Sequence, residues 1–207
     1  MRPGTLAEAV AHRAGGAWRL LAGATDVYPG QGARLSGPVL DLAGLGELRG
    51  ISRNGGLRIG AMTTWADIAG ADLPPALSAL QEAAVQVGGR QIQMVGTLGG
   101  NLCNASPAAD GVPPLLAVEA EVELVSATGV RQMPLSAFLT GPRQTALQPD
   151  EILTAVLVPE AALAGRSRFL KLGARRHLVI SIAMVAARVV VTGGRIADLA
   201  VAVGACS

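Results

Sequence analysis

Two short glycine-bearing loops constrain the fold of this chain more than any other feature of its sequence. The first loop, "AGATD", follows the apolar segment "WRLL", and the second, "GTLGGN", lies near the middle of the chain. Glycine and other small residues leave backbone N–H groups open to the oxygens of a ligand. A single glycine pair more often marks a tight turn. Two such loops with matched polar residues predict a clamp for a diphosphate.

Neither loop carries a common nucleotide-binding signature. The chain contains no G-x-G-x-x-G after a predicted strand and no G-x-x-x-x-G-K-S/T, and its only lysine is Lys171. A Rossmann fold and a P-loop are therefore poorly supported. In the second loop, Thr97 and Asn101 add side-chain donors for an anion. The residues alone predict an anion site without identifying the nucleotide.

The composition limits the class of protein. The 207 residues suffice for one substantial domain or two to three small ones. Half of the residues are hydrophobic but only 2% are aromatic, so the core is predicted to be aliphatic, and large stacking platforms for nucleic acid are absent. The net charge is +2 and the basic residues are scattered, which predicts binding neither to nucleic acid nor to a membrane surface.

The start of the chain, its longest apolar run, its cysteines and its histidines bear on the cellular compartment and on metal binding. The start, "MRPGTLAEAV", lacks the apolar segment of a signal peptide, and the longest apolar run, "LVISIAMVAA", is about half of a membrane span. We therefore expect a cytoplasmic protein without membrane insertion. Cys103 and Cys206 form no C-x-x-C motif, so we expect two reduced thiols and no cluster ligands. His12 and His177 have no neighbours at metal-ligand spacing, and no metal site is expected.

Periodicity and capping residues predict mixed helix and strand. A capping box of Thr5 with Glu8 predicts a helix over "LAEAVAHRA", and Thr64 with Asp67 can cap a short helix in "TTWADIAG". Further helices are predicted at "PPALSALQEAAVQV" and "PPLLAVEA", and strands at "WRLLAG", "PVLDL", "GLRIGA", "EVELVSA" and "DEILTAVLVP". After Ser167 the chain becomes rich in strand patterns, and "VVVTGGRIADLAVAV" predicts a hairpin turned at Gly193-Gly194. Because that sheet ends without cover for one face, we expect the natural protein to continue beyond this sequence.

Four segments in order carry a resemblance to a known family: "LLAGATDVYP", "LRIGAMTTWADI", "VGTLGGNLCNASPAAD" and "GPRQTALQPDEIL". Together they resemble the FAD-binding subunit or domain of molybdenum hydroxylases, the group of xanthine dehydrogenase and aerobic carbon monoxide dehydrogenase. The resemblance implies an α+β fold, with a two-part vanillyl-alcohol-oxidase-like (PCMH-type) FAD-binding domain and the start of an α/β C-terminal domain. The implied boundaries are 1–53, 54–160 and 167–207.

The same resemblance implies an electron-transfer function. The FAD of such a subunit takes electrons from [2Fe–2S] clusters, which drain a molybdopterin centre, and passes them to NAD⁺ or oxygen. The iron–sulfur clusters and the molybdopterin are then expected on two partner chains, an iron–sulfur subunit and a large molybdopterin-binding subunit. The resemblance assigns no catalytic residue to this chain. The alternatives are a nucleotide-binding regulatory module and a structural subunit that has lost FAD.

The resemblance also assigns cofactor contacts residue by residue. The backbone of the two loops is expected to hold the diphosphate, with Asn104 and Ser106 as helpers and Asp110 on the adenosine side. Leu153 is expected to pack near the isoalloxazine, and Lys171 to lie near the same ring. The complete set is Leu20, Leu21, Ala22, Gly23, Ala24, Thr25, Asp26, Val27, Thr97, Leu98, Gly99, Gly100, Asn101, Asn104, Ser106, Asp110, Leu153 and Lys171.

Three positions carry further expectations. As the only lysine, Lys171 is suited to stabilise anionic reduced flavin with a compact charge. The alternative is an ordinary solvated surface lysine. Ala24 stands where many relatives have glycine, and its methyl group is tolerated if the residue has a negative φ. We expect Cys103, within the second loop, to be a small buried hydrophobe rather than a redox group.

Overall fold

A computed structural model describes residues 1–30, 36–175 and 178–206. The helices are α1 (Leu6–Ala14), α2 (Trp65–Gly70), α3 (Ser78–Ala84), α4 (Arg90–Val95), α5 (Leu98–Asn104), α6 (Val112–Ala117) and α7 (Leu135–Phe138). The strands are β1 (Arg19–Leu21), β2 (Val39–Asp41), β3 (Ile51–Arg53), β4 (Gly56–Gly60), β5 (Glu121–Ser126), β6 (Gly129–Pro134), β7 (Leu139–Gly141), β8 (Gln144–Thr145), β9 (Ile152–Pro159), β10 (Arg166–Leu172), β11 (Ala183–Thr192) and β12 (Arg195–Gly204). His177, one of the two histidines considered above, lies outside the described residues.

The N-terminal part consists of α1 and the parallel pair β1–β2. Thr5 caps α1 by accepting the N–H of Glu8, as predicted. The Glu8 carboxylate accepts the N–H of Gly4 instead of the N–H of Thr5, so only half of the predicted capping box forms. Val10 on α1 and Leu40 on β2 are buried in one small core.

A five-stranded antiparallel sheet forms the centre, in the order β3-β4-β9-β5-β6. Six of the eight residues of β9 are at least nine-tenths buried, consistent with its central position. A two-residue loop, Ala127 and Thr128, joins β5 to β6. The implied boundary between residues 53 and 54 falls in the turn of the β3–β4 hairpin, so strands on both sides of it belong to one sheet.

Helices α2, α3, α5 and α6 pack with this sheet in the main core. The core includes Trp65, Leu80, Leu102 and Phe138, each at most 2% exposed. Trp65 follows the complete capping box at the start of α2. The predicted helix at residues 74–87 begins as a 3₁₀ turn at Pro75–Leu77 and continues as α3.

Strands β10, β11 and β12 form a second antiparallel sheet. The predicted hairpin turn at Gly193-Gly194 is present, with φ values of 60° and 76°, which a two-residue turn of this kind requires. Phe169 and Met184 on the inner face are buried against α3 and α6. The opposite face exposes a row of apolar side chains: Leu170, Leu172, Leu199, Val201 and Val203.

A buried arginine ties this second sheet to α6. Arg188 is 2% exposed, and its Nε donates to the carbonyl oxygen of Ala117 at 2.9 Å. Its Nη2 donates to the carboxylate of Asp198 at 2.7 Å. A buried guanidinium requires such partners because its desolvation is otherwise costly.

Within residues 1–30, 36–175 and 178–206, no helix has both the length and the hydropathy that a bilayer crossing requires. The same ranges contain no group of three or more His, Cys, Asp or Glu side chains arranged to hold a metal ion.

An ion pair braces the start of the central strand β9. Arg131 on β6 contacts both oxygens of Glu151, with Nε–Oε1 and Nη2–Oε2 distances of 2.5 and 2.9 Å. Glu151 also accepts the N–H of Gln148 at 2.8 Å. The Arg131 hydrogen bond lowers the pKa of Glu151, burial raises it, and the Gln148 hydrogen bond lowers it further, so the net shift is downward.

This brace predicts a pH-dependent loss of stability in Glu151→Gln. At pH 7 the variant should lose about 2 kcal/mol of unfolding free energy, because a charge-assisted pair is removed from a buried site. The contribution of a carboxylate with a lowered pKa is present above its ordinary value of about 4.3 and is lost as the pH falls through the folded-state value. Urea unfolding from pH 7 to pH 3 should show the two proteins converging in acid. Glu160→Gln, at an exposed glutamate, is the control, and a difference that stays constant across this range would contradict the prediction.

Candidate functional site

The two glycine-bearing loops lie in direct backbone contact. A Cβ atom on Gly23 would lie 1.9 Å from the carbonyl oxygen of Val95, so only glycine permits this approach. The second loop is also fixed to the start of α2 by an isolated antiparallel bridge between Thr64 and Thr97. The N–H of Trp65 donates to the carbonyl oxygen of Gly96 at 3.1 Å within that bridge.

Two cavities open beside this contact. Their volumes are about 380 and 400 Å³, within the range of about 300–1,000 Å³ that is usual for ligand sites. The first cavity is lined mainly by apolar residues, including Leu20, Leu42, Met62, Leu147, Ile152 and Leu153. The second contains more polar groups, including Asn101, Ser106, Asp110, Arg143 and Lys171. Both cavities are lined by Thr25, Asp26, Thr97 and Asn104, which we call the junction.

The first loop presents its backbone amides to the junction. The N–H groups of residues 23–26 have no acceptor within residues 1–30, 36–175 and 178–206. Ala24 has a φ of 60°, so the condition of a negative φ for its methyl group is not met. A left-handed residue next to a right-handed one can turn successive N–H groups toward one point and so form an anion-binding nest. The left-handed Ala24 thus lies in the same loop segment as the amides that have no acceptor.

The second loop uses its amides within the protein. The N–H of Gly99 donates to Ala61, and those of Gly100 and Asn101 donate to the side chain and carbonyl oxygen of Thr97. A Cβ on Gly99 would lie 2.7 Å from the Cβ of Ala61, so glycine is required here for packing against the protein. Its ligand contacts therefore depend on side chains, including the hydroxyl of Thr97, which retains its hydrogen for donation.

Most of the site residues predicted from the sequence line one of the two cavities. The exceptions are Leu21 and Leu98, which are buried away from both. The first cavity contains Leu20, Ala22, Gly23, Ala24, Val27, Gly99, Gly100 and Leu153 in addition to the junction residues. The second contains Asn101, Ser106, Asp110 and Lys171 in addition to the junction residues.

Lys171 forms a buried ion pair with Asp110. The Nζ–Oδ2 distance is 2.6 Å, and both side chains are 7% exposed, so the alternative of a solvated surface lysine is wrong. Ser181 donates to the other oxygen of Asp110 at 2.5 Å. Ser181 was not predicted as a site residue, although it is the only polar residue within the apolar run "LVISIAMVAA". That interruption of an apolar pattern is the signal that could have identified it.

This arrangement differs from the predicted division of roles. Lys171 and Leu153 were expected at one end of the cofactor and Asp110 at the other. Instead, Lys171 and Asp110 share the second cavity, whereas Leu153 lines the first. The reason is topological: Lys171 lies on β10 of the second sheet, and Leu153 lies on the central strand of the first.

Two further side chains bear on the chemistry of the cavities. The Oδ1 atom of Asn101 is buried and has no hydrogen-bond partner among the described residues. Cys103 lines the first cavity and is exposed, so the expectation of a buried residue was wrong. The protein atoms around its sulfur nevertheless raise the pKa to about 12, with Arg13 opposing the shift, so the thiol stays neutral at pH 7. A neutral thiol is a poor nucleophile.

The chain matches a family described as "FAD binding domain in molybdopterin dehydrogenase" over residues 1–161. It is 40% identical over 149 residues to a xanthine dehydrogenase FAD-binding subunit of Escherichia coli O157:H7, covering 68% of this chain and 50% of that protein. It is 38% identical over 170 residues to the nicotinate dehydrogenase FAD-subunit of Eubacterium barkeri, covering 79% and 57%. The chain thus spans between half and two thirds of the length of these curated relatives.

A solved structure has the same fold over nearly the whole chain. It is a reconstituted CO dehydrogenase from Oligotropha carboxidovorans, with a TM-score of 0.90 and 30% sequence identity. The match covers 98% of this chain and 73% of the matched chain. It therefore includes both the five-stranded and the three-stranded sheet.

The left-handed conformation of Ala24 predicts a stabilising substitution. Ala24→Gly should raise the free energy of unfolding by about 1 kcal/mol, because glycine adopts a positive φ without the clash of a Cβ atom. Ala17→Gly, at an exposed position outside the positive-φ set, is the control and should lower stability slightly. Denaturant unfolding of the three ligand-free proteins measures both effects. Equal losses in the two variants would show that Ala24 is not strained.

Proposed function

Because the chain belongs to the family of FAD-binding domains in molybdopterin dehydrogenases, we propose that it is the FAD-binding electron-transfer component of such an enzyme. When bound, FAD supplies two-electron redox chemistry that can be fed one electron at a time. The relatives are named as an FAD-subunit and as a medium chain of dehydrogenases. Those names imply that the relatives assemble with further subunits. The partners of this chain are then an iron–sulfur subunit and a large molybdopterin subunit, and its FAD-binding part has a PCMH-type fold.

The observation that carries this proposal is the pair of cavities joined at one junction. A dinucleotide has two ring systems linked by a diphosphate, and it requires two adjoining spaces with anion-binding groups between them. The first loop supplies open amides of residues 23–26 at that junction. A mononucleotide would use only one of the two spaces.

The polar groups of the second cavity also fit a flavin nucleotide. The buried Oδ1 atom of Asn101 lacks a donor among the described residues, and an unsatisfied buried acceptor is costly. A ribityl hydroxyl or a ring N–H of the cofactor would supply that donor. The acceptor is therefore better explained by a bound ligand than by the packing of the protein alone.

We assign the isoalloxazine to the second cavity and the adenosine to the first. Lys171 and Asp110 offer a donor and an acceptor to the polar edge of a flavin, and both lie in the second cavity. The first cavity is lined by aliphatic residues that suit the faces of an adenine. This assignment moves Asp110 to the flavin end and Leu153 to the adenosine end, opposite to the roles that the sequence resemblance implied.

Lys171 would then act on the flavin as half of a pair. Its charge is balanced by Asp110 at 2.6 Å, so the ring faces an oriented dipole with the ammonium as the donor. Loss of the ammonium alone leaves a buried carboxylate without a counter-charge, which is costly in a protein interior. The Lys171 ammonium would therefore have two effects: it would stabilise the negative charge of the reduced flavin, and it balances the charge of Asp110. A test must separate these two effects.

The first test identifies the cofactor. We expect the purified protein to be yellow and to release FAD, rather than FMN, on acid treatment and chromatography, because both cavities must be filled. Flavin-free protein should take up FAD and bind FMN more weakly. FMN as the sole flavin would contradict the dinucleotide site. A colourless protein that takes up no FAD would overturn the proposed function and favour the structural alternative.

The second test measures the flavin potential in variants of the ion pair. Lys171→Ala should lower the two-electron potential by tens of millivolts. Unit charges roughly 4 Å apart interact by about 4 kcal/mol at an effective dielectric constant of about 20, and about 30 mV corresponds to 1.4 kcal/mol. Solvent screening reduces the shift in potential below the value that this interaction energy would give.

The matched control replaces both partners with neutral residues. Lys171→Met combined with Asp110→Asn removes the ammonium without leaving a lone carboxylate, so its potential should lie between those of Lys171→Ala and the wild type. Spectroelectrochemical titration at one pH measures all three. An unchanged potential in Lys171→Ala with FAD still bound would place the ring away from Lys171.

A further inference from the structure

Arg143 lies beside the junction of the two cavities and was not predicted as a site residue. It occupies the turn between β7 and β8 and lines the second cavity. Its backbone N–H donates to the carbonyl oxygen of Ala105 at 2.8 Å, which fixes the turn to the end of α5. Its φ is 59°, a left-handed conformation that a non-glycine residue rarely adopts. The backbone of this turn is therefore held in one place, and the exposed side chain of Arg143 lines the cavity from there.

The guanidinium of Arg143 carries a charge that is not neutralised by the protein. Within residues 1–30, 36–175 and 178–206, it forms no ion pair with a carboxylate. The other cation of the second cavity, Lys171, is paired with Asp110. Arg13 and Arg19 line the first cavity, and neither donates to a junction residue among the described ones. Arg143 is thus the cation best placed to offer charge at the junction.

Arg143 also determines the orientation of Asn104. Its Nη1 donates to Oδ1 of Asn104, which is a junction residue. An arginine has only donors, so it fixes the carboxamide with the oxygen toward the guanidinium and Nδ2 away from it. Nδ2 has no acceptor in the part of the chain that the structure describes. A donor of fixed orientation is therefore added to the open amides of the first loop.

We propose that Arg143 supplies the counter-charge for the diphosphate of FAD and orients Asn104 as a second donor to the same phosphates. This inference rests on the proposed function, because it assumes that the two cavities take the two halves of a dinucleotide. A diphosphate requires positive charge at this point, since the nearby Asp26 is an exposed carboxylate that repels it. Guanidinium groups suit phosphate because they present several N–H donors in one plane.

The test compares ligands with and without the diphosphate. Flavin-free protein is titrated with ADP and with adenosine by calorimetry. Arg143→Gln should weaken ADP binding about tenfold, which is 1.4 kcal/mol, and leave adenosine binding unchanged. Arg143→Lys should recover part of the ADP affinity because it keeps the charge. Arg195→Gln, at an exposed arginine remote from both cavities, should change neither affinity.

The role of Asn104 is tested by a double-mutant cycle. Asn104→Ala should also weaken ADP binding, and its effect should be smaller in the Arg143→Gln background, because the carboxamide is no longer oriented there. Additive losses would overturn the positioning of Asn104 by Arg143. Thermal unfolding without ligand confirms that each variant is folded before it is titrated.

The outcomes separate this inference from the proposed function. If wild-type protein binds FAD and ADP but Arg143→Gln binds ADP equally well, Arg143 is only a brace for the end of α5, and the inference is wrong. Equal losses of ADP and adenosine affinity would also overturn it, because they indicate a general change in the site. If wild-type protein binds neither FAD nor ADP, the proposed function itself fails.

Discussion

The close approach of Gly23 to Val95 is the contact on which the site depends. Two loops more than 70 residues apart in the sequence meet backbone to backbone there, because a side chain at Gly23 would overlap the Val95 carbonyl group. One loop follows a strand of the N-terminal part, and the other runs into the first turn of α5 in the main core. Their contact joins these two parts. Each cavity is lined by residues from both parts, so the site lies where the parts meet.

The two loops resemble each other in sequence but differ in how they use their backbone amides. The first keeps its amides open through the left-handed Ala24, whereas the second uses the amides of Gly99, Gly100 and Asn101 to hold its own conformation. A shared glycine pattern therefore has two physical causes. In the first loop the small residues allow the contact with Val95 and leave the amides of residues 23–26 without a partner among the described residues. In the second they serve packing against Ala61.

Local features of the fold could be predicted from the sequence because their causes are local. The cap at Thr64 and the Gly193-Gly194 hairpin are specified by neighbouring residues, and both are present. The pairing of Lys171 with Asp110 could not be predicted, because it joins residues 61 positions apart through the arrangement of two sheets. The φ of Ala24 was also missed, since alanine carries no sequence signal for a left-handed conformation. Most of the residues that the resemblance assigned to the site line a cavity, but the sequence did not show which of them share one.

The strand order of the central sheet has a consequence for the order of folding. Strand β9 lies between β4 and β5, although it is the last of the five strands to be synthesised. Until residue 159 has left the ribosome, β4 and β5 each keep an unpaired edge, and Ile152 and Leu153 are missing from the wall of the first cavity. Pairings between distant strands also form slowly because the intervening chain must be ordered. A cofactor that needs both cavities therefore binds after this sheet has closed, and cannot act as a template for its first strands.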